Sequence, residues 1–316
     1  MINRKAVIFG ISSYILKKEE IIFLKKTKPW GIILFSRNIK DIKQLKKLIF
    51  EIKRIFNDNK FPILVDEEGG KVSRLNKIID MTLFSQAHFR ILYKQNKKKF
   101  INKYKIYINS VASILNEVGI NINTVPVLDV KRNYTNNVIG TRSFSSDQHI
   151  VSKLGNICIK LYKQNKICTI AKHIPGHGPA KSDSHFKTPI VDINKKDLIK
   201  KDFAPFKKCK SMMAMTAHII YKKYDSINTA THSKIVINQA IRKNIKFKGI
   251  LISDDISMKS LKFSAVKNAE KALIAGCNLI LHCNGKLKEM KKISKVIPKI
   301  DKFTQKKTSD LYNFLR

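Results

Sequence analysis

Eight short apolar runs, amphipathic segments between them, and a polar residue closing almost every run predict a closed (β/α)8 barrel for this 316-residue chain. In order, the runs are KAVIFG, WGIILFSRN, FPILVDEEGG, INTVPVLDV, ICTIAKHIPGHG, MMAMTAHI, GILISDD and CNLILHCN. Their hydrophobicity is continuous rather than alternating, as expected of strands covered on both faces of a parallel sheet. Between the second and third runs, DIKQLKKLIFEIKRIF places Ile42, Leu45, Leu48, Ile49, Ile52 and Phe56 on one helical face. Before the last run, SAVKNAEKALIAG does the same with Ala265, Ala269, Ala272 and Leu273, and Gly276 supplies the stop. A doubly wound open sheet is the rival architecture, but no G-x-G-x-x-G follows the first run. No linker rich in Pro, Gly or Ser breaks the alternation. Residues 1–316 therefore read as one catalytic barrel domain, with 286–316 a basic, helical C-terminal tail packed on its outside.

The ends of the runs carry the polar groups: Arg37, Asp66, Asp129, Lys172 with His173, His218, Asp254, and His282 with Asn284. In a parallel barrel these positions share one rim, the face on which barrel enzymes build their sites.

Composition narrows the partners. Hydrophobic residues make up 43 %, enough for a full core, while 63 Lys and Arg against 23 Asp and Glu leave a formal charge of +40. Such a balance suits an anionic partner. The lysines, however, are spread over every surface segment, without an arginine-rich stripe or a nucleic-acid reader motif. The expectation is non-specific, salt-dependent adhesion and no dedicated nucleic-acid role. Five cysteines without a C-x-x-C pair fit reduced thiols in a cytoplasmic protein. The N-terminal AVIFGISSYIL lacks a small-x-small cleavage site and reads as a first strand, and no run reaches membrane-spanning length.

Three segments carry chemistry. In GILISDDISM, Asp254 closes a very apolar strand, where a carboxylate is costly unless paired or used, and Asp255 or Ser257 can cap the next helix. In FPILVDEEGG, Asp66, Glu67 and Glu68 stand together in a chain short of acids, with Arg74 a few residues on; a cap and turn is the alternative use. The third is AKHIPGHGPAKSDSH, where Pro175, Gly176, Gly178 and Pro179 forbid a helix. His173 and His177 have the spacing of a helical metal pair, which Asp183, His185, His218 and Asp254 could complete in a metal-dependent hydrolase. Pro175-Gly176 breaks that helix, and Lys172 sets a cation beside the would-be metal. Alternatively Asp183 and His185, two apart in an extended loop, form an acid–base pair in which the carboxylate orients the imidazole. Opposite an ionised Asp254, such a pair has the two-step logic of a retaining glycosidase.

The order ILFSRN, VDEEGGKVSR, PVLDV, GTRSF, KHIPGHG, SDSH, MTAHI, SDDISM closely resembles the β-N-acetylhexosaminidases of glycoside hydrolase family 3, of the kind that serve bacterial cell-wall recycling. The resemblance spans roughly Trp30 to Asn284. It implies Asp254 as the nucleophile and Asp183 with His185 as the catalytic dyad, His185 being the general acid/base. It implies Asp66, Arg74, Arg142, Lys172 and His173 as substrate-binding residues, with His177 shaping the loop. The implied substrate is GlcNAc β-1,4-linked to 1,6-anhydro-N-acetylmuramic acid, with or without peptide. No metal or organic cofactor and no membrane insertion are implied, and the chain is read as a cytoplasmic monomer. Ile174, Glu67 and Lys71 replace residues more usual in the family, and Thr141 and Phe144 fall at variable positions; none removes a reacting group. The alternative on the same scaffold is a β-N-acetylglucosaminide phosphorylase, because a histidine acid/base does not repel incoming phosphate.

Overall fold

All eight apolar runs form strands of one closed parallel barrel in the computed structural model, which describes residues 3–184 and 186–315. The strands are β1 (Lys5–Gly10), β2 (Pro29–Leu34), β3 (Ile63–Val65), β4 (Ile122–Asn123), β5 (Cys168–Ile174), β7 (Met213–Thr216), β9 (Ile250–Asp255) and β10 (Leu279–His282). Their order around the barrel follows the chain, and β10 closes on β1 through Val7↔Ile280 and Phe9↔His282. Two short strands, β6 (Ile190–Val191) and β8 (Ile220–Tyr221), pair in a separate parallel ribbon, a feature the apolar runs do not announce.

One run gives a shorter strand than its hydrophobicity suggests. INTVPVLDV contributes only Ile122–Asn123 to the ladder, because Pro126 has no N–H to donate. Pairing resumes as the isolated bridge Val127↔Lys172, which carries the chain on to Asp129.

The helical faces pack as the periodicity requires. The helix Ile42–Phe56 starts at Asp41, whose side chain accepts from Gln44 N, and buries Leu45, Leu48, Ile49 and Ile52. Each such side chain is worth about 1.5–3 kcal/mol of burial. The helix Ala265–Ala275 begins at Ser264 and ends at Gly276, whose φ of 116° is costly for any residue with a Cβ. The tail supplies two further helices, Leu287–Val296 and Lys302–Phe314. The second is fixed to the barrel by Trp30, fully buried, whose Nε1 donates to Thr308 Oγ1 at 2.9 Å. No helix among the described residues is long and apolar enough to cross a membrane.

Candidate active site

The C-terminal ends of the barrel strands surround a cavity of about 180 Å³. A cavity of roughly 150 Å³ accommodates a benzene ring, so this one suits a single sugar-sized ring. One wall is built by the segment after β3. Alternation along an extended chain sends Asp66 and Glu68 to one side and Glu67 to the other. Glu67 is fully buried, and its Oε2 accepts from Arg74 N (2.7 Å), Leu75 N (2.9 Å) and Ser73 Oγ (3.2 Å). The three neighbouring acids thus divide the two uses open to them: Glu67 caps the turn that presents Arg74, while Asp66 and Glu68 line the cavity.

Cations from three segments neutralise this wall: Lys172 from β5, Arg142 from the turn Gly140–Arg142, and Arg74 from the wall's own loop. Lys172, at the end of β5, places Nζ 3.0 Å from Asp66 Oδ1, 2.7 Å from Glu68 Oε1 and 2.9 Å from Thr124 Oγ1. Arg142 grips Glu68 with both arms of its guanidinium, Nε to Oε2 and Nη2 to Oε1, each at 2.8 Å. Arg74 Nη2 lies 3.7 Å from Asp66. Burial alone would push both carboxyls toward protonation. Lys172 and Arg74 instead hold Asp66 well below the usual carboxylate range, and Arg142 with Lys172 holds Glu68 down at about 2. Burial also works against the charge on Lys172, and the two carboxylates raise its pKa regardless. Asp66 and Glu68 therefore face the ligand space as carboxylates, with charged Lys172 and Arg142 against them.

Beneath that wall sits Asp129, completely buried. Its Oδ1 accepts the backbone N–H of His173 (3.2 Å) and of His177 (2.6 Å), and its Oδ2 lies 2.7 Å from His173 Nδ1. Burial opposes its ionisation, yet His173 keeps its pKa below the ordinary aspartate value, so the carboxylate accepts and Nδ1–H donates. The ring of His173 is thereby oriented with Nε2 left for the cavity. The Lys172–His173 and Ile174–Pro175 peptide bonds are both cis.

The opposite side belongs to β9. Asp255 accepts from Ser257 N (3.1 Å), Ser257 Oγ (2.7 Å) and Cys283 N (3.2 Å), which makes it the turn-holding member of the pair. Asp254 lines the cavity, with Oδ1 accepting Asp255 N at 2.8 Å. Burial would raise its pKa, but His218 and His173 outweigh it and keep the group below its ordinary value. His218 is itself fixed by Thr231 Oγ1 (2.7 Å) on Nδ1 and by the Asp255 carbonyl (3.0 Å) on Nε2. Burial lowers its pKa, and Asp254 only partly restores it.

Of the residues expected from sequence, Asp66, Arg74, Arg142, Lys172, His173 and Asp254 all line this one cavity. Asp183 is half-buried beside Ser184, which also lines it. His185 lies outside the described residues. Other rim residues serve the frame: Arg37 donates to the carbonyls of Ile11 and Cys283, while His282 and Asn284 both meet Glu289. Glu68, Asp129 and His218 stand at run ends in the sequence, and His218 enters the metal-site alternative, but none has an expected catalytic or sugar-binding role. A signal existed for Glu68 in the two-residue alternation from Asp66; the partners of Asp129 and His218 become visible only when the barrel closes.

Comparison with known proteins gives the family. Residues 7–310 match the Glycosyl hydrolase family 3 N terminal domain. A β-hexosaminidase of Psychromonas ingrahamii is 35% identical over 286 residues, covering 89% of this chain and 83% of its own. One from Haemophilus influenzae is 33% identical over 277 residues, covering 85% and 76%. Among solved structures, NagZ from Neisseria gonorrhoeae in complex with N-trifluoroacetyl-D-glucosamine superposes with a TM-score of 0.86 at 27% identity, covering 100% of this chain and 91% of that one. With the family match over residues 7–310, the curated relatives and the barrel in agreement, the chain belongs to glycosyl hydrolase family 3, among its β-N-acetylhexosaminidases.

Proposed function

We propose that the protein is an exo-acting β-N-acetylglucosaminidase that releases terminal β-1,4-linked GlcNAc from 1,6-anhydromuropeptides with retention of configuration, as part of cytoplasmic cell-wall recycling. The observation that carries this reading is Asp254: a carboxylate kept ionised by His218 and His173 at the edge of a cavity sized for one ring. The charged wall opposite suits a hydroxyl-rich ring, since Asp66 and Glu68 accept and Arg74, Arg142 and Lys172 donate.

In the first step an oxygen of Asp254 attacks the anomeric carbon as the glycosidic C–O bond breaks. The leaving oxygen takes the proton of His185, which Asp183 orients. In the second step His185 takes a proton from water, the hydroxide attacks the same carbon from the face the leaving group vacated, and the Asp254 carboxylate is released. Two inversions give net retention. The high positive charge suits encounter with anionic muropeptides.

The test is release of p-nitrophenol from its β-GlcNAc glycoside by purified protein, with EDTA present and with or without phosphate. Turnover indifferent to both and abolished in Asp254→Ala is the expected result. GlcNAc-1-phosphate as the product would move the assignment to a phosphorylase, and loss of turnover on chelation would move it to a metal-dependent hydrolase. An α-configured first product would refute retention.

A further inference from the structure

The chain leaving β5 is pinned at its root by three successive contacts. Tyr221 Oη donates to the Gly176 carbonyl at 2.6 Å, Asp129 Oδ1 accepts the His177 N–H at 2.6 Å, and Thr135 Oγ1 donates to the Gly178 carbonyl at 2.6 Å. The packing here is also close, since a Cβ at Gly178 would fall 1.8 Å from the Val130 carbonyl oxygen. Farther along, Lys181, Phe186 and Lys187 are exposed. Between them Ser184 is only 4% exposed, and its Oγ lies 3.1 Å from His177 Nε2. A serine has little apolar surface to drive its own burial, and the bond to His177 gives its buried hydroxyl a partner.

The chemistry of the pair suits a permanent contact. Burial pushes His177 down to about 4, so near neutral pH its ring offers one N–H and one lone pair. A hydroxyl can match either, by accepting or donating. Ser184 also stands between Asp183 and His185 in sequence, so a bond that holds Ser184 bears on the residue at either side of it.

We propose that His177 and Ser184 are positioning residues, forming a latch that registers Ser184 and its neighbour Asp183 against the pinned root at 176–178. This rests on the reading of Asp183 and His185 as the acid–base pair. In this arrangement His177 acts through Ser184, and the anchor behind it is Asp129.

A neutral hydrogen bond sets the population of the registered loop by roughly two- to tenfold, and only steps that need the acid feel it. The experiment measures kcat/KM for Ser184→Ala, Ser184→Thr and His185→Ala on aryl β-GlcNAc glycosides graded by leaving-group acidity. Amide exchange of the 176–178 and 181–187 segments is followed in the same proteins. The expected result for Ser184→Ala is a loss of about two- to tenfold on phenyl-type leaving groups, almost none on dinitrophenyl, and recovery in Ser184→Thr. Exchange should quicken at 181–187 and stay unchanged at 176–178. Equal loss on all leaving groups, or unchanged exchange, overturns the latch even while His185→Ala keeps a steep leaving-group dependence and the acid–base reading stands. If His185→Ala shows no such dependence, the acid–base reading fails and the latch fails with it.

Discussion

Replacing Asp129 with Asn tests whether the buried carboxylate under the site stabilises the fold or merely survives there. Two effects oppose each other. Taking a carboxylate out of water is expensive, and an amide would not bear that cost. Against this, the carboxylate receives three N–H groups, from His173 N, His173 Nδ1 and His177 N. The direction of its pKa decides the balance: the group is more acidic folded than an ordinary aspartate, so its partners outweigh its burial. Charge-assisted hydrogen bonds are worth about 1 kcal/mol more apiece than neutral ones, and three of them amount to roughly 3 kcal/mol. A chain of 316 residues unfolds with an entropy of about 0.7 kcal/mol per degree, so Asp129→Asn should lower Tm by about 5 °C at pH 7.

The pH dependence supplies the sharper test. A folded-state pKa below the unfolded one contributes stability that is complete above the unfolded value, roughly 4, and disappears as pH falls through the folded value. The gap in Tm between wild type and Asp129→Asn should therefore be constant from pH 7 to 5 and narrow below about 4. Thermal unfolding monitored by circular dichroism across that range measures it. A variant as stable as wild type at pH 7, or a gap that widens in acid, would refute the argument that hydrogen bonding to the ionised form wins.

The geometry makes two further outcomes testable. Gly178→Ala should cost several kcal/mol and depress folded yield, because its methyl meets the Val130 backbone oxygen at 1.8 Å, whereas Gly140→Ala, with open space but a φ of 35°, should cost only about 1 kcal/mol; comparison of the two melting temperatures checks it. Lys172→Met removes the cation shared by Asp66 and Glu68, so their pKa values should rise, and the acid limb of any remaining kcat/KM profile should move to higher pH.

The sequence by itself determined where the barrel strands lie and which residues reach the rim. Continuous apolar runs of this length, alternating with amphipathic helices, pack as strands covered on both faces, and a polar residue ending such a run emerges at the barrel's open end. Asp66, Lys172, His173 and Asp254 were legible for that reason, and Arg74 and Arg142 through the motifs that carry them. Local pattern did not decide which of three adjacent acids would cap a turn; the position of Arg74 and Leu75 against Glu67 did. Nor could it show that Glu68 would be held by Arg142, 74 residues away, or that Lys172 would reach Asp66 across 106. These pairings, and the grip of Asp129 on His173 and His177, form only when barrel closure brings separate strand ends together. A buried charge there is stable only with partners at hydrogen-bonding distance, and that distance is a property of the closed barrel, not of any one segment.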